Sequence, residues 1–309
     1  MAAPIVDRAQ LRASLLAALA YFDLFDHPLT LAELRRWRWG GPPQEPDLAA
    51  VADALVATPT GETDGFFYLK GREAIVAVRQ RRYRLAEKKF RRARRLAWLA
   101  RLLPSVRLIA VCNSLALSNA DTGSDIDLFI VCRPGTLWIT RLLLAGALHV
   151  LGLRPRPGDS ADKFCLSFFL AENNLDISGL ALPEGDVYLR YWIAALTPVY
   201  DAGGVLAEFL SANGWVSRDL PGLFAAETGE RRAVAPARSG SGGLLVNWLR
   251  RWDAPARRFQ EKRFPPEIAA LANRDSRVVV ADNILKFHVT DRRCRFEREF
   301  RARLRALGL

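Results

Sequence analysis

Two carboxylates stand two positions apart at the start of an apolar run. Asp125 and Asp127 alternate with Ile126 and Leu128, and residues i and i+2 of a strand point to the same face. The two carboxylates should therefore lie side by side, where they repel each other unless a cation sits between them. Hard oxygen ligands favour Mg2+ or Mn2+. The spacing thus predicts a divalent metal site with Asp125 and Asp127 as its ligands.

A polar pair, Asn113 and Ser114, follows the preceding apolar run. A helix that begins at this pair would direct free backbone N–H groups and the Ser114 hydroxyl toward a phosphate. A metal held by the Asp pair would bridge to the same phosphates and neutralise charge as pyrophosphate leaves. We therefore predict a nucleoside triphosphate site formed by Asn113 and Ser114, and we add Ser124 and Lys163 to its expected residues.

The string from Leu108 to Val131 resembles the signature of the DNA-polymerase-β-type nucleotidyltransferases. That signature has a hydrophobic strand, Gly-Ser at a helix start, about ten residues and then Asp-hydrophobic-Asp on a second strand. A lone Asp-x-Asp occurs by chance in many chains, but the agreement of the whole string is far more specific. The resemblance implies transfer of a nucleoside monophosphate from a triphosphate to a hydroxyl or phosphate acceptor. Segments 21–30 and 282–293 are also similar to those of a bacterial group of nucleotidyltransferase-domain proteins.

Two positions depart from that pattern. Asn113 replaces the glycine, so the sequence predicts either Asn in a left-handed conformation or an altered turn. The third carboxylate, which the family places on the next strand as metal ligand and base, has no equivalent in strand 163–170. Strict alternation along that strand puts Lys163, Cys165, Ser167 and Phe169 on one face. Asp162, just before the strand, is the candidate third carboxylate; without it, the metal alone would have to acidify the acceptor, or the enzyme would be slow or inactive.

The order of elements predicts an α+β protein with three regions. Residues 1–72 have the order of a winged-helix-like unit, in which Thr30 caps a short helix with Glu33 as its capping-box partner. Residues 73–200 would form a small mixed-sheet nucleotidyltransferase core that includes a basic linker helix. Residues 201–309 read as a helical C-terminal region. The first unit would equally fit a helical accessory unit that only packs on its neighbour.

The basic linker helix is the main candidate for contact with nucleic acid. The 309-residue chain carries a net charge of +12, and between residues 79 and 95 arginine and lysine fill most positions outside a narrow apolar stripe. Such a run could bind phosphates, although a solvated helix face gives the same pattern. A basic composition can also follow from genome composition, so the charge only favours polyanionic partners.

A polar cluster near the C-terminus contains Lys286, His288 and Arg292. These side chains could contact phosphate or acceptor, or they could form a hydrogen-bonded clasp that holds the last helix. The four scattered cysteines lack metal-ligand spacing and are predicted to be core thiols in a reducing cytoplasm. The apolar N-terminal stretch lacks a basic segment and a cleavage site. We therefore expect a cytoplasmic protein with no signal peptide and no membrane partner.

Three functions remain open on these observations. The first is a metal-dependent nucleotidyltransferase that uses Mg2+ or Mn2+. The second is a nucleotidyltransferase fold that has lost catalysis and acts as a nucleic-acid-binding or regulatory module, which the absent third carboxylate favours. The third is modification of a partner protein, as in the minimal antitoxin-like nucleotidyltransferases, but those chains are typically far shorter. Sequence alone predicts neither the base preference, nor the acceptor, nor the oligomeric state.

Overall fold

The N-terminal region consists of three helices and a two-stranded hairpin. In this computed structural model, which describes residues 7–156, 158–224, 232–235 and 242–309, the helices are α1 (Arg8–Asp23), α2 (Leu31–Trp37) and α3 (Leu48–Leu55). Strands β1 (Thr60–Thr63) and β2 (Phe66–Leu69) pair antiparallel after them. The capping box at the start of α2 is formed as the sequence predicts, with Thr30 and Glu33 exchanging both hydrogen bonds.

A 26-residue helix, α4 (Ile75–Ala100), links this region to the central sheet. Small residues let it approach the sheet closely: Ala86, Ala93 and Ala97 are fully buried, and Phe90 fills the space between them. The narrow apolar stripe predicted for this helix is only partly buried, because Tyr83 is 46% exposed. The opposite side of α4 carries most of its cations.

Six strands form one mixed sheet in the order β6-β3-β4-β5-β8-β7. Strands β4 and β5 run parallel, joined through α6 (Leu137–Val150), and every other neighbouring pair is antiparallel. The strands are β3 (Val106–Val111), β4 (Ile126–Cys132), β5 (Phe164–Ala171), β6 (Thr197–Asp201), β7 (Val278–Val280) and β8 (Ile284–Phe287). The fold is therefore α+β with a mixed sheet, as the sequence predicts.

The C-terminal region is not purely helical. It contains α8 (Val205–Ala212), α9 (Gly242–Glu261), α10 (Pro266–Leu271) and α11 (Arg293–Ala306), but β7 and β8 extend the sheet beside β5. These strands have only three and four residues, too few for a period-two pattern to stand out from the surrounding polar segment. The helical prediction for this region is corrected accordingly. Among the described residues, no helix has both the length and the apolar content needed to cross a bilayer.

Hydrophobic cores cover both faces of the sheet. One core joins the sheet to α1, α2, α3 and α7 (Val187–Ala195), with Phe129 and Phe168 contributed by the strands. The other core joins the sheet to α4, α6 and α9, with Leu128 and Phe169 from the strands. Since Asp127 alternates with Leu128 and shares the parity of Phe129, it faces the first core and the helices that close it.

The prediction of strict alternation along β5 is wrong. Cys165 pairs with Asp127 and Phe168 pairs with Phe129, so β5 advances by three residues over the distance in which β4 advances by two. The irregularity behaves as a β-bulge, in which one extra residue shifts the side chains beyond it to the other face. Phe164 and Leu166 consequently share a core with Phe169 and not with Phe168. The bulge leaves Cys165 on the same face as Asp127.

Candidate functional site

The predicted metal ligands meet at the start of β4. One ligand atom each from Asp125, Asp127 and Cys165 lies within 4.8 Å of the other two, and no further group of this kind occurs among the described His, Cys, Asp and Glu residues. Asp127 and Cys165 are register partners on adjacent parallel strands, so the backbone pairing itself brings the thiol to the carboxylates. These three donors are the groups that could hold a divalent cation.

Burial and mutual repulsion disfavour the charged state of this carboxylate pair. Burial, followed by the neighbouring charge of Asp125, raises the pKa of Asp127 to about 6, although hydrogen bonds from Asn113 and Cys165 act in the opposite direction. Burial also raises the pKa of Asp125, against the attraction of the Lys89 ammonium. A divalent cation between the two carboxylates would offset both costs.

Asn113 occupies the position where the resembling family has glycine. Its φ of 56° lies in the left-handed region, which confirms the first of the two predicted outcomes and which Asn tolerates better than most residues. The Asn113 side-chain oxygen accepts hydrogen bonds from the Tyr188 hydroxyl at 3.2 Å and from Trp192 Nε1 at 3.0 Å. Its side chain also lowers the pKa of the Asp127 carboxyl, against the effect of burial. Asn113 thus links the carboxylate pair to helix α7.

Of the remaining predicted nucleotide-binding residues, Ser114 is available to a ligand, whereas Ser124 and Lys163 bind backbone carbonyl groups. Ser114 is exposed and is the second residue of α5 (Asn113–Ala116), a single turn whose few peptide dipoles add little, so its hydroxyl and nearby N–H groups are the available donors. Ser124 donates its hydroxyl to the Asp121 carbonyl at 2.8 Å. The Lys163 ammonium is bound to the Gly152 carbonyl at 2.8 Å. Of these residues, Ser114 alone lines the cavity described below.

Asp162 does not join the metal-ligand cluster. Its carboxylate accepts a hydrogen bond from Lys89 Nζ at 2.6 Å, and the same ammonium donates to the Ser124 carbonyl at 2.7 Å. Lys89 is almost fully buried in this role. It fixes the loop before β4 to the loop before β5. Sequence reasoning missed Lys89 because it lies inside a run of cations, where no spacing separates the inward-facing one from the others.

A cavity of about 360 Å3 opens beside Asn113 and Ser114. Its walls are largely aromatic, and most of its polar groups come from the C-terminal segment, with Asn113, Ser114 and Asn119 from the middle of the chain. The aromatic residues are Tyr21, Phe25, Phe168, Tyr188, Tyr191, Trp192 and Phe296; the C-terminal polar residues are Lys286, His288, Thr290, Asp291, Arg292 and Arg293. The two end segments singled out in the sequence therefore converge here. The rings from α7 were not identified from sequence because helical spacing of aromatic residues is typical of any core.

The C-terminal polar cluster contains side chains that bind neighbouring elements and side chains that remain available to a ligand. Arg293 is buried and bonds Asp186, Asp291, the Leu180 carbonyl and Ser276, as a clasp requires. Lys286 donates to the Ser276 carbonyl, and burial lowers its pKa to about 8.

The other two members of that cluster face the cavity. Burial lowers the pKa of His288 to about 4, and its Nδ1 has no hydrogen-bond partner among the described residues. Arg292 is exposed at the cavity wall. Arg292 and His288 are therefore the members of the cluster with donor or acceptor groups left for a ligand.

Comparisons with known proteins do not place the chain in a family. Neither the family models, nor the curated proteins, nor the solved structures gave a significant match.

Proposed function

We propose that this protein is a metal-dependent nucleotidyltransferase of the DNA-polymerase-β type. It would transfer a nucleoside monophosphate from a triphosphate to a hydroxyl or phosphate acceptor and release pyrophosphate. The observation that supports this proposal is the meeting of Asp125 and Asp127 with a third donor, within 4.8 Å, at the edge that also carries Asn113 and Ser114. In this proposal the sheet and its helices are the nucleotidyltransferase core, and α1–α3 with β1 and β2 are a winged-helix unit.

The bound cation, Mg2+ or another divalent metal, would supply Lewis-acid stabilisation of the charge that builds up on the phosphates. The chain's own groups would hold and orient the reactants. The Ser114 hydroxyl would donate to a phosphate oxygen, and the Asn113 side chain, which lowers the pKa of Asp127, would help to keep that carboxylate ionised. Lys89, which binds the Ser124 carbonyl and Asp162, would fix the loop that presents Asp125 and thereby act as a positioning residue.

The aromatic cavity supplies room for the organic part of a reactant. Rings such as Tyr188 and Phe296, which stack at 5.3 Å, suit a planar base or another flat acceptor. Arg292 at the cavity wall provides a cation for an anionic group. A volume of about 360 Å3 falls in the range of small-molecule sites, so the pocket favours a nucleotide or small acceptor on this side.

The direct test is incubation of the protein with Mg2+ or Mn2+ and each labelled triphosphate, with pyrophosphate release measured with and without RNA, small-molecule or protein acceptors. Asp127→Asn should abolish divalent-dependent triphosphate binding in calorimetry, because it removes one charge and one ligand while keeping the shape. Its thermal stability should stay unchanged or rise, since repulsion from Asp125 is relieved.

Asp64→Asn is the matched control, because it also removes one carboxylate but an exposed one in the turn between β1 and β2, outside the ligand cluster. It should leave divalent-dependent triphosphate binding in place. Unaltered triphosphate affinity of Asp127→Asn in Mg2+ would exclude Asp127 from the site.

A second candidate function is a nucleic-acid-binding or regulatory module on a catalytically impaired fold. Two observations favour it: the ligand cluster contains no third carboxylate, and the outer face of α4 carries exposed cations. Salt-dependent binding of nucleic acid without any triphosphate turnover would support this candidate over the enzyme.

A further inference from the structure

The third donor of the site is a thiol. Cys165 lies beside Asp127 through the parallel pairing of β4 and β5, and the bulge that follows in β5 keeps both side chains on one face. The Cys165 Sγ atom and a carboxylate oxygen from each of Asp125 and Asp127 are mutually within 4.8 Å, a span that one cation can bridge.

The surroundings of Cys165 differ from those of a core cysteine. Cys112 and Cys132 are 3% and 0% exposed and belong to the two hydrophobic cores, where a thiol acts as a small apolar group. Cys165 is partly exposed and next to two carboxylates. At that position the sulfur can join both carboxylates on one cation.

We propose that Cys165 is the third protein ligand of the metal site and that the resulting Asp-Asp-Cys donor set takes a transition-metal cation that accepts thiolate, of the Zn2+ or Co2+ class, in preference to Mg2+. Thiolate sulfur favours such cations, whereas a site of carboxylates alone favours Mg2+. On binding, the Cys165 thiol gives its proton to solvent and its sulfur lone pair to the cation, with no change of oxidation state. This inference deepens the proposed function and rests on its metal site.

A sulfur ligand in the third position changes which cation the site prefers. Asp162 was the carboxylate expected to complete the ligand set, but its oxygen is held by Lys89. With sulfur in the third position, Mg2+ loses one acceptable protein ligand while Zn2+, Co2+ and Cd2+ gain one. Mn2+, which tolerates both oxygen and softer ligands, should lie between these groups.

Co2+ and Cd2+ are direct probes because their bonds to thiolate give charge-transfer absorption in the ultraviolet. The full chain, titrated with Co2+ under reducing conditions, should develop this absorption with one equivalent of metal. Calorimetry should give an affinity for Co2+ at least about tenfold above that for Mg2+. Cys165→Ser should lose the absorption and most of the preference, and Cys165→Asp should shift the preference toward Mg2+.

Cys294→Ser is the matched control, because it removes an exposed thiol outside the ligand cluster and should keep both properties. Circular dichroism of each variant checks that the fold is retained. Charge-transfer absorption that persists in Cys165→Ser, Co2+ binding without that absorption, or Mg2+ binding as tight as Co2+ binding would each overturn the proposal. These readouts need no triphosphate, so they stand even if no turnover is found and the proposed function fails.

Discussion

Asn113 serves both backbone geometry and side-chain chemistry. Its left-handed φ of 56° lets the chain turn sharply from β3 into α5, a geometry that glycine usually provides. Its amide oxygen meanwhile accepts hydrogen bonds from Trp192 Nε1 and the Tyr188 hydroxyl. A glycine could provide the turn but none of these bonds. The residue is therefore a substitute for glycine with an additional role in holding the site to α7.

Substitutions at Asn113 should separate the two roles. Asn113→Gly and Asn113→Ala both remove the hydrogen bonds and leave the indole N–H of Trp192 without its acceptor, which costs about 1–3 kcal/mol. Only alanine adds the strain of a left-handed backbone, so it should destabilise the protein by roughly 1 kcal/mol more than glycine does. Urea unfolding of the three proteins measures the difference. Equal losses for the two variants would mean that the turn is not left-handed in solution.

His288 should make the stability of the protein depend on pH. Burial, with smaller effects from Lys286 and Arg293, lowers its pKa to about 4, whereas an unfolded His titrates near 6.5. The unfolded chain therefore binds the extra proton first, and stability falls as pH decreases from about 6.5 to about 4. The shift corresponds to at most roughly 3 kcal/mol.

The variant His288→Gln tests this dependence, because it keeps a polar side chain that does not titrate. Urea unfolding across this pH window should show a shallower fall in the free energy of unfolding than in the wild type. His27, whose pKa burial also lowers, remains in both proteins and cancels in the comparison. His149→Gln on the exposed side of α6 controls for the loss of one histidine. Parallel curves for wild type and His288→Gln would contradict the prediction.

Among the elements, α11 depends on a buried ion pair at its first residue. Arg293 binds Asp186 at 2.6 Å, and Asp186 is fully buried and caps α7 through the Leu189 N–H. The same guanidinium reaches Ser276 before β7. One side chain thus connects α11, α7 and the strand pair that extends the sheet, and all three elements contribute residues to the cavity or flank it.

Removal of this connection should be costly. Arg293→Met leaves the Asp186 carboxylate buried without its partner, which is expected to lower the free energy of unfolding by about 3–5 kcal/mol. Adding Asp186→Asn should recover part of that loss, because the uncompensated charge disappears. Arg295→Met, which breaks an exposed pair with Glu299, is the control and should cost less than about 1 kcal/mol. Similar losses in the two single variants would show that Arg293 does not hold the helix.

Elements with long periodic patterns were predictable, whereas those fixed by tertiary contacts were not. The capping box at Thr30 and the strand of Asp127 follow from local chemistry and period-two alternation. The bulge in β5 does not, because nothing in its apolar run marks the extra residue. The placement of Cys165 beside Asp127 depends on that register. Sequence therefore identified the Asp pair but assigned the third position to Asp162, whose partner Lys89 could be recognised only in three dimensions.

At the scale of the whole molecule, the chain carries a net charge of +12. Helix α4 contributes many of the cations, and those on its two sides have different surroundings. Two of its buried cations are paired, Arg79 with Glu33 and Lys89 with Asp162. On the outer side, five exposed cations recur every three or four residues and have no ion-pair partner in the described part of the chain: Arg81, Arg84, Lys88, Arg91 and Arg95. This spacing puts them on one helix face over about 21 Å, a geometry suited to a row of phosphates.

If this face binds nucleic acid, its affinity should fall steeply with salt, because each phosphate contact releases condensed counterions. Reversing Arg84, Arg91 and Arg95 to Glu should flatten the plot of log affinity against log salt by about one unit per lost contact. Fluorescence anisotropy with a labelled duplex and a labelled single strand measures both slopes. Reversal of Arg295, Arg298 and Arg305 on α11 changes the net charge equally and should leave the slope nearly unchanged.

The same variants also distinguish a nucleic-acid acceptor from a small one. With a small acceptor, reversal of the α4 arginines should leave turnover of the triphosphate nearly unchanged, since these side chains point away from the sheet and the cavity, while Asp125→Asn should abolish it. With a nucleic-acid acceptor, the α4 variant should lose turnover in proportion to its lost affinity. A protein with neither salt-dependent binding nor triphosphate turnover would defeat both functions and leave a structural or partner-modifying role.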